Sequence, residues 1–223
     1  MSFTCDSCGS TFDLPPAVQS KYPNWVPKQC MSCRDGKGGG SSGRRKKARG
    51  GRRATPTRPP TGGTVDERLR SVVERYHEGP QSGLFTDGGA SPNPGPGGWG
   101  LVWVEDGVVR EQLRGGEHDS TNNRMELQAL IEAAKLLDED ASITVYSDSQ
   151  LCVKTINEWA DGWARRGWKR KSGPIKNLEL VQELHALCKA RPDVSLSWVP
   201  GHSGWTWNEY ADVLATAGRE ELR

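Results

Sequence analysis

The stretch that most constrains this chain is Leu84-Phe85-Thr86-Asp87-Gly88-Gly89-Ala90, followed by Asn93-Pro94-Gly95-Pro96-Gly97-Gly98-Trp99-Gly100. An apolar run that ends in an aspartate and breaks into glycines predicts a strand, Leu84 to Asp87, delivering a carboxylate to a turn. Glycine permits positive φ and lets a second backbone or a ligand come close. Trp99 to Glu105 is again strand-like, so the turn is expected to join two antiparallel strands. A lone aspartate at a strand end is usually a solvated turn residue. Its meaning depends on the acids that follow.

Val108–Arg114 reads as a third strand. A helix is expected to open near Thr121-Asn122, with Leu127, Leu130, Ile131, Ala134 and Leu137 on one face. In Ser142–Ser147, Ile143 and Val145 alternate with Thr144 and Tyr146, the pattern of a strand that Asp148 closes. A helix through Cys152, Val153 and Ile156, a Trp- and Arg-rich stretch, and a helix from Pro174 to Lys189 follow. Val194–Val199 is the last strand, and the final helix runs from Trp207 to Glu220. Three meandering strands followed by β–α–β crossovers imply an α/β fold with a mixed sheet flanked by helices.

The N-terminal third differs in kind. Residues 1–36 hold Cys5-x2-Cys8 and Cys30-x2-Cys33, separated by 21 residues. Two thiolates on each of two tight turns complete a tetrahedral Zn2+ site, and a ribbon this small depends on its metal to fold. Four thiolates leave no open position, so the zinc is expected to be structural. Lys21, Tyr22, Trp25, Lys28 and Arg34 fit contact with nucleic acid or the cover of a minimal core equally well. Residues 37–63 are Gly, Ser, Arg, Lys and Pro without hydrophobic periodicity, the composition of a disordered linker. Nine cations and no acid lie between Lys37 and Gly62, which leaves −7 for the rest of a chain whose total is +2. Such an arm beside an acidic body suits a polyanionic partner, with affinity that falls as salt rises.

Thr64-Val65-Asp66-Glu67 has the capping-box arrangement, with Leu69, Val72, Val73 and Tyr76 at helical spacing and Gly79-Pro80 as a stop. An amphipathic helix over 64–80 is expected to pack on the domain spanning 81–223. Mean hydropathy of −0.70 agrees with part of the chain lying outside a core. Paired CxxC spacing speaks for a reducing compartment, and the early Cys5, Asp6 and Cys8 do not resemble a signal peptide. No apolar run approaches the roughly 20 residues of a membrane helix. The expectation is a cytoplasmic monomer acting on nucleoid-associated substrate.

Four acids occupy element ends: Asp87 after the first strand, Glu126 in the first turn after Asn122-Asn123-Arg124-Met125, Asp148 after the fourth strand, and Asp212 in the last helix. Each alone suits a turn, a cap or a solvated face. A mixed sheet can bring all four to one edge, where open α/β sheets bind ligands. Clustered carboxylates repel one another unless cations neutralise them, and hard oxygen donors suit Mg2+.

Residues 84–220 resemble type 1 ribonuclease H. The matching segments are Phe85-Thr86-Asp87-Gly88, Asn93-Pro94-Gly95-Pro96-Gly97-Gly98, Thr121-Asn122-Asn123-Arg124-Met125-Glu126-Leu127, Asp148-Ser149-Gln150, Gly167-Trp168-Lys169, and Trp198-Val199-x-Gly201-His202-x-Gly204 with Asn208-Glu209 and Asp212. The resemblance implies a five-stranded mixed sheet and hydrolysis of the RNA strand of RNA–DNA hybrids with two Mg2+ or Mn2+ ions. By the same resemblance Asp87 bridges both ions, Glu126, Asp148 and Asp212 complete their shells, and His202 assists proton transfer or product release. Asn93, Asn122, Gln150 and the backbone at Gly88 would read the RNA 2′-hydroxyl or its neighbours, Asn123 would be a further substrate contact, and Thr121 would belong to a pocket for a DNA phosphate. The DNA strand would lie across Trp163, Arg165, Arg166, Trp168 and Lys169. Mutual packing of Trp159 and Trp163, four apart on a helix, competes with that role.

Two positions depart from the family pattern. Asp119 stands where many members carry an arginine for a DNA phosphate, and Gly162 where an asparagine often helps. The zinc ribbon and basic arm are therefore expected to supply affinity. Two rival readings use the same fold: a catalytically silent nucleic-acid-binding module, and a transposase- or resolvase-type nuclease. A pure binder gains nothing from four carboxylates facing phosphate, and the Asn-Asn-Arg-Met-Glu-Leu and Trp-Val-x-Gly-His segments favour ribonuclease H over the second.

Overall fold

The computed structural model describes residues 2–4, 11–13, 62–170 and 172–223. The chain divides into two units, Met1–Arg53 and Ala54–Arg223. In the first, β1 (Ser2–Thr4) and β2 (Thr11–Asp13) form an antiparallel ladder that bounds the first cysteine pair in sequence. The expected zinc ligands Cys5, Cys8, Cys30 and Cys33, and the linker up to residue 61, lie outside the described residues.

The second unit begins with α1 (Val65–Arg75) and continues with β3 (Gly83–Ala90), β4 (Gly95–Glu105), β5 (Val108–Ser120) and α2 (Asn122–Leu136). Then come β6 (Thr144–Ser147), α3 (Gln150–Lys154), a π-helical stretch (Thr155–Ala160), α4 (Asp161–Arg165), α5 (Leu178–Lys189), β7 (Ser195–Trp198) and α6 (Thr206–Glu220). The sheet order is β5-β4-β3-β6-β7. The first three strands are antiparallel neighbours, and β6 and β7 run parallel to β3. This is the expected mixed five-stranded sheet.

Strand alternation splits the core in two. Leu84, Leu101 and Val145 pack with Leu130 and Ile131 of α2 and Leu184 of α5. Their neighbours Phe85 and Val102 point the other way, onto Leu69 and Val72 of α1 and Leu214 of α6. Each such fully buried side chain contributes about 1.5–3 kcal/mol. Arg68, 4% exposed, joins α1 to the end of α6 through two bonds to Glu220 at 3.3 and 2.7 Å.

Several boundaries differ from the sequence reading. The glycines after Asp87 do not form the turn: β3 continues to Ala90, and Gly88, Gly89 and Ala90 pair with Trp99, Gly98 and Gly97. The turn proper is Ser91–Pro94. Close approach of a helix explains Gly88, where a Cβ would occupy the backbone of Met125 and Glu126 in α2. Gly98 and Gly100 make the same room for the backbone of α6. The helix α1 carries its capping box at Thr64 and Glu67 but ends at Arg75, before Gly79-Pro80, because Tyr76 turns extended. Its stripe is Leu69, Val72 and Tyr76, with Val73 exposed. The helix α5 starts at Leu178 rather than Pro174, behind Asn177 in a left-handed conformation. No helix among the described residues is long and apolar enough to cross a membrane.

Candidate active site

Parallel pairing of Thr86 with Ser147 puts the carboxyl ends of β3 and β6 side by side, so Asp87 and Asp148 emerge together. The Thr86 hydroxyl donates to the Tyr146 carbonyl at 3.1 Å and locks that register. Asp148 is held from three sides. Trp198 Nε1 donates to its carbonyl at 3.0 Å, Ser147 Oγ accepts from the next amide at 3.1 Å, and Gly201 lies so close that a Cβ would meet Oδ2 at 2.6 Å.

The third carboxylate arrives on α2. Thr121 caps this helix, its hydroxyl accepting from the Arg124 amide at 3.4 Å. The bare backbone at Gly88 lets the helix seat directly on β3, which carries Glu126 to Asp87. Ligand oxygens of Asp87, Glu126 and Asp148 all lie within 4.8 Å of one another. Asp212, from α6, belongs to an adjoining set: its carboxylate, His202 and Glu209 offer ligand atoms within 4.8 Å of one another. All six residues line one cavity of about 480 Å³.

Electrostatics set these acids apart from surface carboxylates. Burial holds Asp87 well above the usual carboxylate range, and the charges of Asp148 and Asp212 push further. Glu126 is raised well above its ordinary value by burial first, then by Asp87 and Asp148. Burial also raises Asp148, opposed by the neighbouring His202. Glu126 Oε2 is buried without a hydrogen-bond partner. A buried anionic oxygen left bare inside a ring of carboxylates fits a hard divalent cation, which supplies the missing partner and offsets the repulsion.

Around this centre the expected residues fall into distinct groups. Asn93 and Asn122 brace the rim: Asn122 Oδ1 accepts from the Ala90 amide at 2.8 Å, and Asn93 Oδ1 from the Asn122 amide at 3.3 Å. Gln150 is exposed at the start of α3. Asn123 is exposed too but lines a separate cavity with Trp159 and Trp163. Arg165, Arg166 and Lys169 are exposed, while Trp168 sits half-buried with its ring edge-on to His185 at 5.4 Å.

Trp163 is a correction to the expected substrate surface. It is only 9% exposed and sits in the core, 5.9 Å from the Trp159 ring, with Arg170 over it. Of the two expectations for this pair, packing against Trp159 fits the structure. His202 is exposed and left-handed (φ 52°), its Nδ1 3.9 Å from Glu209 Oε2.

Glu209, buried at 3% exposure, was given no role by sequence. Its amide-bound oxygen accepts from Gly204 at 3.4 Å, which ties the His202 loop to α6. The signal was present in the spacing: Glu209, Asp212, Thr216 and Arg219 recur every three or four residues and share one helix face.

Residues 80–220 match the family model described as RNase H. The chain belongs to the RNase H family. Its ribonuclease H domain is 50% identical over 138 residues to a Ribonuclease H of Methylorubrum extorquens, covering 62% of this chain and 60% of that protein. A Ribonuclease H of Polynucleobacter asymbioticus is 46% identical over 140 residues, 62% of this chain and 90% of that protein. Among solved structures, LC9-RNase H1, a type 1 RNase H with the type 2 active-site motif, shares 31% identity at a TM-score of 0.51. That alignment covers 66% of this chain and 76% of that one. The solution structure of a PFV RNase H domain has a TM-score of 0.56 at 23% identity, covering 63% and 95%, a likeness of fold.

Proposed function

We propose that this protein hydrolyses the RNA strand of RNA–DNA hybrids with Mg2+ or Mn2+, leaving 3′-hydroxyl and 5′-phosphate ends. The observation that carries the reading is the cavity that gathers Asp87, Glu126, Asp148 and Asp212 in a domain that, over 138–140 residues, is 46–50% identical to named ribonucleases H. Asp87, Glu126, Asp148 and Asp212 would hold the ions, Asp87 by the family resemblance as their shared ligand. Two bound divalent ions supply an activated water and charge stabilisation at the leaving oxygen. The protein's own share is positioning. The strand ends and the Gly88 contact fix the carboxylates before substrate arrives, and His202 on its exposed loop passes a proton between the cleft and solvent. In balance, the water oxygen bonds to phosphorus, the P–O3′ bond breaks, and a proton goes to O3′.

Substrate recognition rests on chemistry at the rim. Asn93, Asn122, Gln150 and the Gly88 backbone are the groups for the RNA 2′-hydroxyl, which is both donor and acceptor. Arg165, Arg166 and Lys169, with Trp168 as a packing face, suit the phosphates of the DNA strand. Thr121 and Asn123 flank that path. The domain limits are 1–36 for a structural zinc ribbon on Cys5, Cys8, Cys30 and Cys33, 37–63 for a nucleic-acid-binding basic linker, 64–80 for the bracing helix and 81–223 for the nuclease. The enzyme acts as a cytoplasmic monomer on nucleoid-associated hybrids.

Product ends test this route. Fragments from a labelled hybrid should accept extension by a polymerase and carry a 5′-phosphate that phosphatase removes. Fragments ending in a 2′,3′-cyclic phosphate would mean attack by the 2′-hydroxyl and overturn the reading.

A further inference from the structure

The cleft that holds the carboxylates also holds one guanidinium, that of Arg219. Arg219 lies seven residues beyond Asp212 on α6, two turns along the same face, and about 10 Å further down the helix axis. Thr216 stands between them on the cavity wall. The same cleft is lined by Gly88 and Asn122, two of the groups proposed above for the RNA 2′-hydroxyl. The stem of Arg219 is seated by contact with β4, since a Cβ on Gly98 would meet Arg219 Cβ at 2.9 Å.

The Arg219 side chain makes no hydrogen bond or ion pair among the described residues; exposed Arg70, Arg165 and Arg166 share that lack, and what sets Arg219 apart is its place in the carboxylate cleft, where acids are plentiful. The next two residues are glutamates, and both are engaged elsewhere: Glu220 with Arg68 at 2.7 Å and Glu221 with Arg114 at 2.7 Å. Arg110, Arg124, Arg170 and Arg191 likewise bond to carboxylates or carbonyls. Among the described residues, no carboxylate or carbonyl has a hydrogen bond or ion pair with the Arg219 side chain. A guanidinium presents five donors in a planar fork that matches a phosphate.

We infer that Arg219 binds a backbone phosphate of the strand seated in the carboxylate cleft, within a few nucleotides of the bond that is cut. The ligand is a phosphodiester of the cleaved RNA strand. The contact gives an acidic cleft one attractive anchor for the polyanion it must accept, on the strand opposite to that served by the Arg165–Lys169 patch. This inference rests on the proposed hybrid substrate.

The experiment measures binding of a fluorescein-labelled RNA–DNA hybrid to the full chain carrying Asp87→Asn, from about 50 to 200 mM salt. Adding Arg219→Met, which keeps the stem on Gly98, should weaken binding about tenfold at low salt, the order expected for one charge-assisted hydrogen bond. It should also lower the slope of log Kd against log salt by about one. Arg219→Lys should keep the slope, and Arg219→Gln serves as the second neutral variant if the methionine form melts early. A single uncharged methylphosphonate, moved along the RNA strand, should weaken the parent at one linkage and leave Arg219→Met unaffected there. Parental affinity and slope in both neutral variants would overturn the inference while leaving the hybrid reading intact. Failure of the parent itself to bind hybrid would overturn both.

Discussion

Asp87→Asn exchanges one carboxylate oxygen for an amide of nearly the same shape at the most crowded point of the cleft. Asp87 shares its cavity with Glu126, Asp148 and Asp212, and burial, then the charges of Asp148 and Asp212, hold its carboxyl well above the ordinary range. The metal-free protein therefore carries a cost at neutral pH that the amide removes. Relief of this kind is commonly about 1–2 kcal/mol. In a unit of this size it corresponds to a rise of about 2–4 °C in Tm per kcal/mol. The sign with pH follows from linkage. Below the ordinary carboxylate pKa both folded and unfolded chains are protonated and the cost is absent. As pH rises through the raised folded-state values, the unfolded chain ionises more readily, and stability is lost. Metal-free wild type should therefore melt progressively lower from mildly acidic to neutral pH, Asp87→Asn should show a flatter profile, and Mg2+ should restore the wild type alone. Activity moves oppositely. Loss of a ligand proposed to serve both ions removes several kcal/mol of transition-state stabilisation, about a thousandfold or more in rate. Differential scanning calorimetry across pH with paired hybrid-cleavage rates reads both. A variant that melts lower than wild type at neutral pH without metal, or keeps a tenth of its activity, would refute the reasoning.

Three further predictions follow from the same geometry. Gly88→Ala forces a methyl into the backbone of Met125 and Glu126; it should cost about 3 kcal/mol or more and abolish cleavage, and retention of wild-type Tm would count against the seating of α2. Deleting residues 1–63 should raise KM for hybrid at moderate salt far more than it lowers kcat, and an unchanged KM would remove the linker and ribbon from substrate binding. One zinc per chain should be released when a thiol-modifying reagent titrates the full-length protein, and none from the deletion; equal zinc content in the two would contradict the Cys5, Cys8, Cys30 and Cys33 site.

The parts of the fold that were legible in sequence are those that depend on local pattern. The apolar run Leu84–Asp87, the alternation in Ile143–Tyr146 and the capping box at Thr64 gave strands and a helix that the structure contains. Asp87 and Asp148 stood out as candidates because each closes a strand and both fall, with Glu126 and Asp212, in segments that resemble ribonuclease H. At Gly88, Gly98 and Gly100 the approach of a second backbone was expected, but local rules also put a turn directly after Asp87. The cause of these glycines, a helix backbone pressed on the strand, comes from residues far along the chain such as Met125 and Ala215. Trp163 was read both as substrate surface and as a packing partner of Trp159, because a spacing of four on a helix suits either; its burial favours the second. Glu209 and Arg219 escaped for a different reason. Their spacing from Asp212 was visible, but a polar residue on a helix reads as solvated until the helix is placed against a cleft.

The central claim is that these carboxylates cut RNA only where it is paired with DNA. Its most direct test is incubation of the full-length protein with a duplex whose RNA and DNA strands carry different labels, beside the matching DNA duplex and RNA duplex, with Mg2+ or with chelator. The account predicts fragments from the RNA strand of the hybrid alone, and only with metal. Binding of the hybrid without cleavage in Mg2+ or Mn2+ would contradict it, as would equal cleavage of the DNA strand.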